Sequence, residues 1–90
     1  MSKPQFTEDA WEEYLYWLSQ DKRTSKKINE LIKDIMRNGA LNGIGKPEPL
    51  KDNLQGYFSR KIDEKNRLVY TILENDVIEI YSCKGHYKDK

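Results

Sequence analysis

The chain has one cysteine, Cys83, and one histidine, His86, in 90 residues. A lone cysteine excludes an internal disulfide framework, and with a lone histidine it leaves too few soft ligands for a structural zinc site. Long apolar runs are also missing. None approaches the roughly 18 residues of a membrane span, and the first residues lack the apolar stretch of a secretory signal. The expectation is a cytoplasmic protein with no membrane attachment. Charge of one sign is scarce too: 16 Lys and Arg against 15 Asp and Glu leave a net charge of +1. A free nucleic-acid-binding domain usually shows a larger basic excess, and no helix-turn-helix pattern is present to supply sequence-specific DNA binding.

What is present suits a single domain spanning 1–90. Hydrophobic residues make up 37% and aromatics 11%, enough for a core and against disorder. Basic residues gather locally: residues 22–37 hold six against two acidic ones, and 43–73 hold six against four. Such stretches suit a basic surface, or equally a pair of solvated mixed-charge faces.

Periodicity outlines the elements. Residues 2–6 read as a short edge strand, weakened by Pro4, which cannot donate to a ladder. Thr7 reads as a helix N-cap, followed by Glu8 and Asp9 where the helix dipole favours negative charge. Phe6 and Trp11 sit at the spacing of a hydrophobic staple. Trp11, Tyr14, Leu15 and Leu18 recur at i, i+3, i+4 and i+7, so a helix ending near Gln20 is expected to pack this stripe into a core. A second helix, 22–38, carries Ile28, Leu31, Ile32, Ile35 and Met36 on one side and stops at Gly39. Gly39, Gly43, Gly45, Pro47 and Pro49 then mark a loop. Three strand-like runs follow at 56–62, 67–73 and 77–83, joined by short polar turns as an antiparallel meander. The fold class is α+β: two N-terminal helices on one face of a small twisted antiparallel sheet, with the other face open.

Three residues could carry chemistry. Glu48 is clamped between Pro47 and Pro49, each of which fixes its own φ and restricts its neighbour; alone, it reads as a solvated carboxylate in a rigid turn. Arg67 opens a strand on the face opposite Leu68, Tyr70 and Ile72, and alone reads as a surface arginine in an ion pair. His86 follows the last strand and alone reads as an exposed tail residue.

Together they stand within a set of motifs. Tyr14-Leu15-Tyr16-Trp17, Lys26-Lys27-Ile28-Asn29-Glu30-Leu31-Ile32-Lys33-Asp34, Gly45-Lys46-Pro47-Glu48-Pro49-Leu50-Lys51, Arg67-Leu68-Val69-Tyr70 and Cys83-Lys84-Gly85-His86-Tyr87 occur in this order. The chain resembles the YoeB toxins (the Txe/YoeB family, RelE-like superfamily) of bacterial toxin–antitoxin modules from Phe6 to Tyr87. The resemblance implies a microbial-ribonuclease fold and cleavage of messenger RNA in the ribosomal decoding site. It carries a general-base role to Glu48, and family site positions to Arg67, His86 and Tyr87. It also implies a YefM-type antitoxin partner, operator DNA bound only through the antitoxin complex, and often a homodimer. The chain departs from relatives at Lys3-Pro4-Gln5-Phe6, where an apolar strand is usual, at Arg60-Lys61 in place of two arginines, and at Lys65, a position acidic in some relatives.

RNA chemistry suits these residue types. The substrate's own 2′-hydroxyl is a positioned nucleophile, so no metal or other cofactor is expected. A carboxylate such as Glu48 can accept the 2′ proton. The guanidinium of Arg67 can hold two phosphate oxygens. Imidazole titrates near neutrality, so His86 can protonate the leaving 5′-oxygen. Tyr87 suits stacking or substrate positioning. Lys46, Lys51, Arg60 and Lys61 are the expected contacts to the RNA backbone. The product would carry a 2′,3′-cyclic phosphate. The competing reading is a catalytically weak homologue that mainly binds an antitoxin as co-repressor of its own operon.

Overall fold

The structure is a computed structural model and describes residues 3–86. Its elements are β1 (Pro4–Phe6), α1 (Glu8–Gln20), α2 (Lys22–Asn38), β2 (Glu48–Pro49), β3 (Phe58–Lys61), β4 (Arg67–Ile72) and β5 (Ile78–Ser82). Short 3-10 turns lie at Asp52–Leu54 and Glu74–Asp76. The helices begin and end where their caps dictate. Thr7 accepts from the Ala10 N–H at 3.1 Å, and Phe6 packs edge-on to Trp11 with centroids 5.6 Å apart. Asp21 alone separates α1 from α2, and its carboxylate accepts from the N–H groups of Arg23 and Thr24 and from the Thr24 hydroxyl.

The strands form one sheet in the order β1-β5-β4-β3-β2. β3, β4 and β5 make the expected antiparallel meander. β1 adds to β5 in parallel, so the sheet is mixed. Pro4 is tolerated because β1 is an edge strand. The helices cover one face, burying Ile28, Leu31 and Ile35 of α2 against Leu68, Tyr70, Ile78 and Ile80. Among the described residues no helix is long and apolar enough to cross a membrane.

Two expectations need correction. First, α1 is rotated by about one residue relative to the expected stripe. Trp11, Leu15 and Leu18 are exposed at 46%, 42% and 39%, while Ala10 is fully buried and Tyr14 and Trp17 pack on the core. The inward spacing is Ala10, Glu13, Tyr14 and Trp17, also i, i+3, i+4 and i+7. Its small first residue lets the helix approach the chain end, where Cys83 Sγ lies 3.7 Å from the Ala10 carbonyl. The polar members then turn their donors and acceptors onto that same backbone, as described below.

Second, Arg60 is not an RNA contact. It is fully buried on the helix-facing side of β3. All five guanidinium N–H groups have partners. Nε donates to the Tyr70 hydroxyl at 2.9 Å, and NH1 donates to the Asp34 carboxylate and the Ile44 carbonyl. NH2 donates to the carbonyls of Gly39 and Asn42, each at 2.8 Å. Arg60 therefore ties the C-terminal half of α2 and the loop after it to the sheet. Asp34's carboxyl is held below its usual range, chiefly by the hydrogen bond from Arg60 and despite an opposing desolvation. Burial pushes the Tyr70 hydroxyl up, and that hydroxyl donates onward to the Ala40 carbonyl at 2.6 Å.

Candidate active site

The loop anchored by Arg60 leads directly into Glu48. Gly45, at φ +82°, is required on two grounds: the left-handed backbone, and a side chain's first carbon that would sit 2.8 Å from Leu31 and 3.3 Å from the Lys61 carbonyl. Its own carbonyl accepts from the Lys61 N–H at 2.7 Å. Lys46 also takes a positive φ of 51°, an uncommon conformation for a residue with a side chain. After Pro47, Glu48 enters β2 and pairs with Ser59 of β3.

Strand register decides which side chains share the face away from the helices. Glu48, Ser59, Val69 and Ser82 lie in one row across β2, β3, β4 and β5, and directly paired residues point the same way. Two residues along β4 from Val69, Arg67 joins that face opposite Lys61. Arg67 NH1 lies 3.7 Å from Glu48 Oε1, with the two side chains 23% and 46% exposed. That distance is an ion pair but too long for a hydrogen bond. The pair is loose and open to solvent, with the carboxylate oriented beside a cation. In the same row as Glu48, the hydroxyls of Ser59 and Ser82 are buried with no hydrogen-bond partner among the described residues.

His86 follows a residue that backbone contacts hold beside the start of β4. The Arg67 N–H donates to the Gly85 carbonyl at 3.0 Å, which fixes the residue before His86 beside the start of β4. An open cleft of about 600 Å³ is lined by Glu13, Glu64, Lys65, Asn66, Lys84 and His86, among others. Lys84 lies 4.8 Å from the Tyr16 ring centroid.

The remaining expected residues divide. Lys61 is half-buried and pairs with Glu64 at 2.8 Å; the Lys61 ammonium holds the Glu64 carboxyl below its usual range. An exposed pair of this kind is weak, so phosphate can compete for the lysine. Lys46 is exposed next to Pro47 and adds a minor electrostatic lowering to the Glu64 carboxyl. Lys51 is exposed and precedes the first 3-10 turn. Tyr87 lies outside the described residues. The reading from sequence missed Ser59, Glu13 and Asn66. Only Ser59 had a signal, as the strand alternation places it opposite Arg60's side.

Comparison with known proteins gives the family. The model of the YoeB-like toxin of bacterial type II toxin-antitoxin systems matches residues 6–87. The chain belongs to that family. The Toxin YoeB of Escherichia coli (strain K12) is 51% identical over 82 residues, covering 91% of this chain and 95% of that protein. Among solved structures, the heterotetrameric YoeB–YefM toxin–antitoxin complex from Staphylococcus aureus matches with a TM-score of 0.87 and 57% identity, covering 93% of this chain and 95% of that one. The YoeB dimer from the same organism gives a TM-score of 0.87 at 55% identity, covering 94% and 97%. The α+β architecture of this YoeB-like toxin is therefore shared across nearly its whole length.

Proposed function

We propose that this toxin is an endoribonuclease that cuts messenger RNA in the ribosomal decoding site by acid–base catalysis, without a metal ion or cofactor, and so inhibits translation. The observation that carries the reading is the Glu48–Arg67 pair on the sheet face away from the helices, 3.7 Å apart, with Arg67's backbone holding the residue before His86. In the reaction, the Glu48 carboxylate takes the proton of the 2′-hydroxyl. The 2′-oxygen attacks the adjacent phosphorus, and the bond to the 5′-oxygen breaks. Arg67 stabilises the negative phosphorane, two of its guanidinium nitrogens meeting two phosphate oxygens. His86 gives a proton to the departing 5′-oxygen. The products are a 2′,3′-cyclic phosphate and a 5′-hydroxyl. Tyr87 stacks on or positions a base, and Lys46, Lys51 and Lys61 meet the RNA backbone.

Limited net charge explains the need for the ribosome. At +1, the protein attracts free RNA weakly, whereas a decoding site presents the substrate already bent and bound. In the cell the partner is a YefM-type antitoxin, which covers the site and carries the toxin to operator DNA; the toxin alone forms a homodimer. The resemblance to the Staphylococcus aureus complex and dimer supports both.

The test is cleavage of messenger RNA on programmed ribosomes and as naked RNA, with the intact protein and with Glu48→Gln and His86→Gln. Cleavage confined to ribosomes and lost in both variants is expected. Equal rates on naked RNA at physiological salt overturn ribosome dependence. Full activity in both variants overturns the mechanism. Overproduction separates the co-repressor reading, which predicts no growth arrest.

A further inference from the structure

His86 lies beyond the last strand, where the chain leaves the sheet and loses its ladder. A proton donor on such a segment is useful only if the backbone beneath it is held, because misplacement by about 1 Å can cost a hundredfold in rate. Four contacts from three parts of the fold meet on residues 83–85. Glu13 Oε1 on α1 accepts from the Cys83 N–H at 2.8 Å. The Trp17 indole, one turn further along α1, donates to the Cys83 carbonyl at 2.9 Å. Asn66 Oδ1 accepts from the Gly85 N–H at 2.8 Å, and the Arg67 N–H donates to the Gly85 carbonyl at 3.0 Å. Gly85 turns the chain at φ +84° between these anchors, a conformation that costs glycine little.

We propose that Glu13 and Asn66 are positioning residues for His86, holding the exit segment so that the imidazole faces the Glu48–Arg67 pair. The inference rests on the role of His86 proposed above. Glu13 is a half-buried acid on the inward side of a helix, a place where a carboxylate is retained only with strong partners. Its bond to the Cys83 amide is charge-assisted, about twice as strong as a neutral one. Asn66 is itself fixed, since Asp63 Oδ1 accepts from its backbone N–H and from Nδ2, at 2.8 and 3.0 Å. The β3–β4 turn is thereby a rigid arm reaching the chain end from one side while α1 reaches it from the other. Both residues line the cleft that His86 borders. Neither has to touch RNA to matter.

The experiment is single-turnover messenger RNA cleavage on programmed ribosomes, comparing wild type with Glu13→Ala, Glu13→Gln, Asn66→Ala and His86→Gln, each checked by thermal melting. Glu13→Gln keeps a carbonyl oxygen for the Cys83 N–H. A positioning role predicts that Glu13→Ala and Asn66→Ala each lower the maximal rate about ten- to a hundredfold. The half-saturating toxin concentration should stay within about twofold, because ground-state binding is untouched. Glu13→Gln should restore most of the rate. If Glu13→Ala does not fold, Asn66→Ala carries the test. Wild-type maximal rates in the folded Ala variants, with His86→Gln inactive, overturn the positioning role alone. A wild-type rate in His86→Gln overturns the role of His86, and this inference with it.

Discussion

Replacing Arg60 by Met tests whether the basic residue of β3 serves the fold or the substrate. The side chain is fully buried and uses every N–H it has, on Asp34, Tyr70, Gly39, Asn42 and Ile44. Methionine has similar reach but no donors. The substitution leaves the Asp34 carboxylate and three backbone carbonyls facing an apolar chain. Removing one partner of a buried ion pair costs about 3–5 kcal/mol, out of a total stability of about 5–15 kcal/mol for a typical domain. At about 4–8 °C per kcal/mol for a domain of this size, the melting temperature should fall by about 12 °C or more. Urea unfolding followed by tryptophan fluorescence gives the same quantity at constant temperature. The double variant Arg60→Met with Asp34→Asn should lose less than the sum of the two singles, by about 1–3 kcal/mol. Arg60→Met melting within about 2 °C of wild type, together with weaker RNA binding of reduced salt dependence, would refute the structural role and restore Arg60 as an RNA contact.

Other outcomes follow from single residues. Asp34 has a folded-state pKa below its unfolded value, as does Asp21, whose carboxyl is lowered chiefly by the Thr24 hydroxyl. The stability they contribute is complete above the unfolded carboxylate value of about 4 and is lost as pH falls through the folded values. Unfolding free energy measured against pH should therefore drop on the acid side, and Asp34→Asn should flatten that drop. Ser59→Ala should raise the melting temperature, since the buried hydroxyl has no partner among the described residues and such a group costs about 1–3 kcal/mol; a lower melting temperature would show that it is satisfied. Glu48→Gln removes only a loose, exposed pair worth at most about 1 kcal/mol, so melting should hardly change while ribosomal cleavage falls about a hundredfold or more.

Both helices were legible because caps and periodicity act locally. Thr7, Asp21 and Gly39 mark the ends that the structure shows. The face of α1 was not, because two stripes one residue apart satisfy the same spacing. The aromatic one is the more hydrophobic, yet the helix turns Ala10 inward and spends Glu13 and Trp17 on hydrogen bonds to Cys83. Arg60 carried a readable signal in its alternation with Phe58 and Ile62 on the core side of β3. Charge pulled the expectation toward RNA, since its acceptors come from α2 and the following loop, far away in sequence. The clamp of Glu48 between prolines was legible. Its approach to Arg67 was not, because it depends on β2 joining the edge of β3 through only two paired residues.

The identity of the cut ends tests the account most directly. Messenger RNA cleaved by the intact toxin on ribosomes, with fragments analysed by mass spectrometry, should show a 2′,3′-cyclic phosphate upstream and a 5′-hydroxyl downstream. A 3′-hydroxyl facing a 5′-phosphate would mean that water or a metal-bound oxygen attacked instead of the ribose. Glu48, Arg67 and His86 would then have no place in the reaction derived for them.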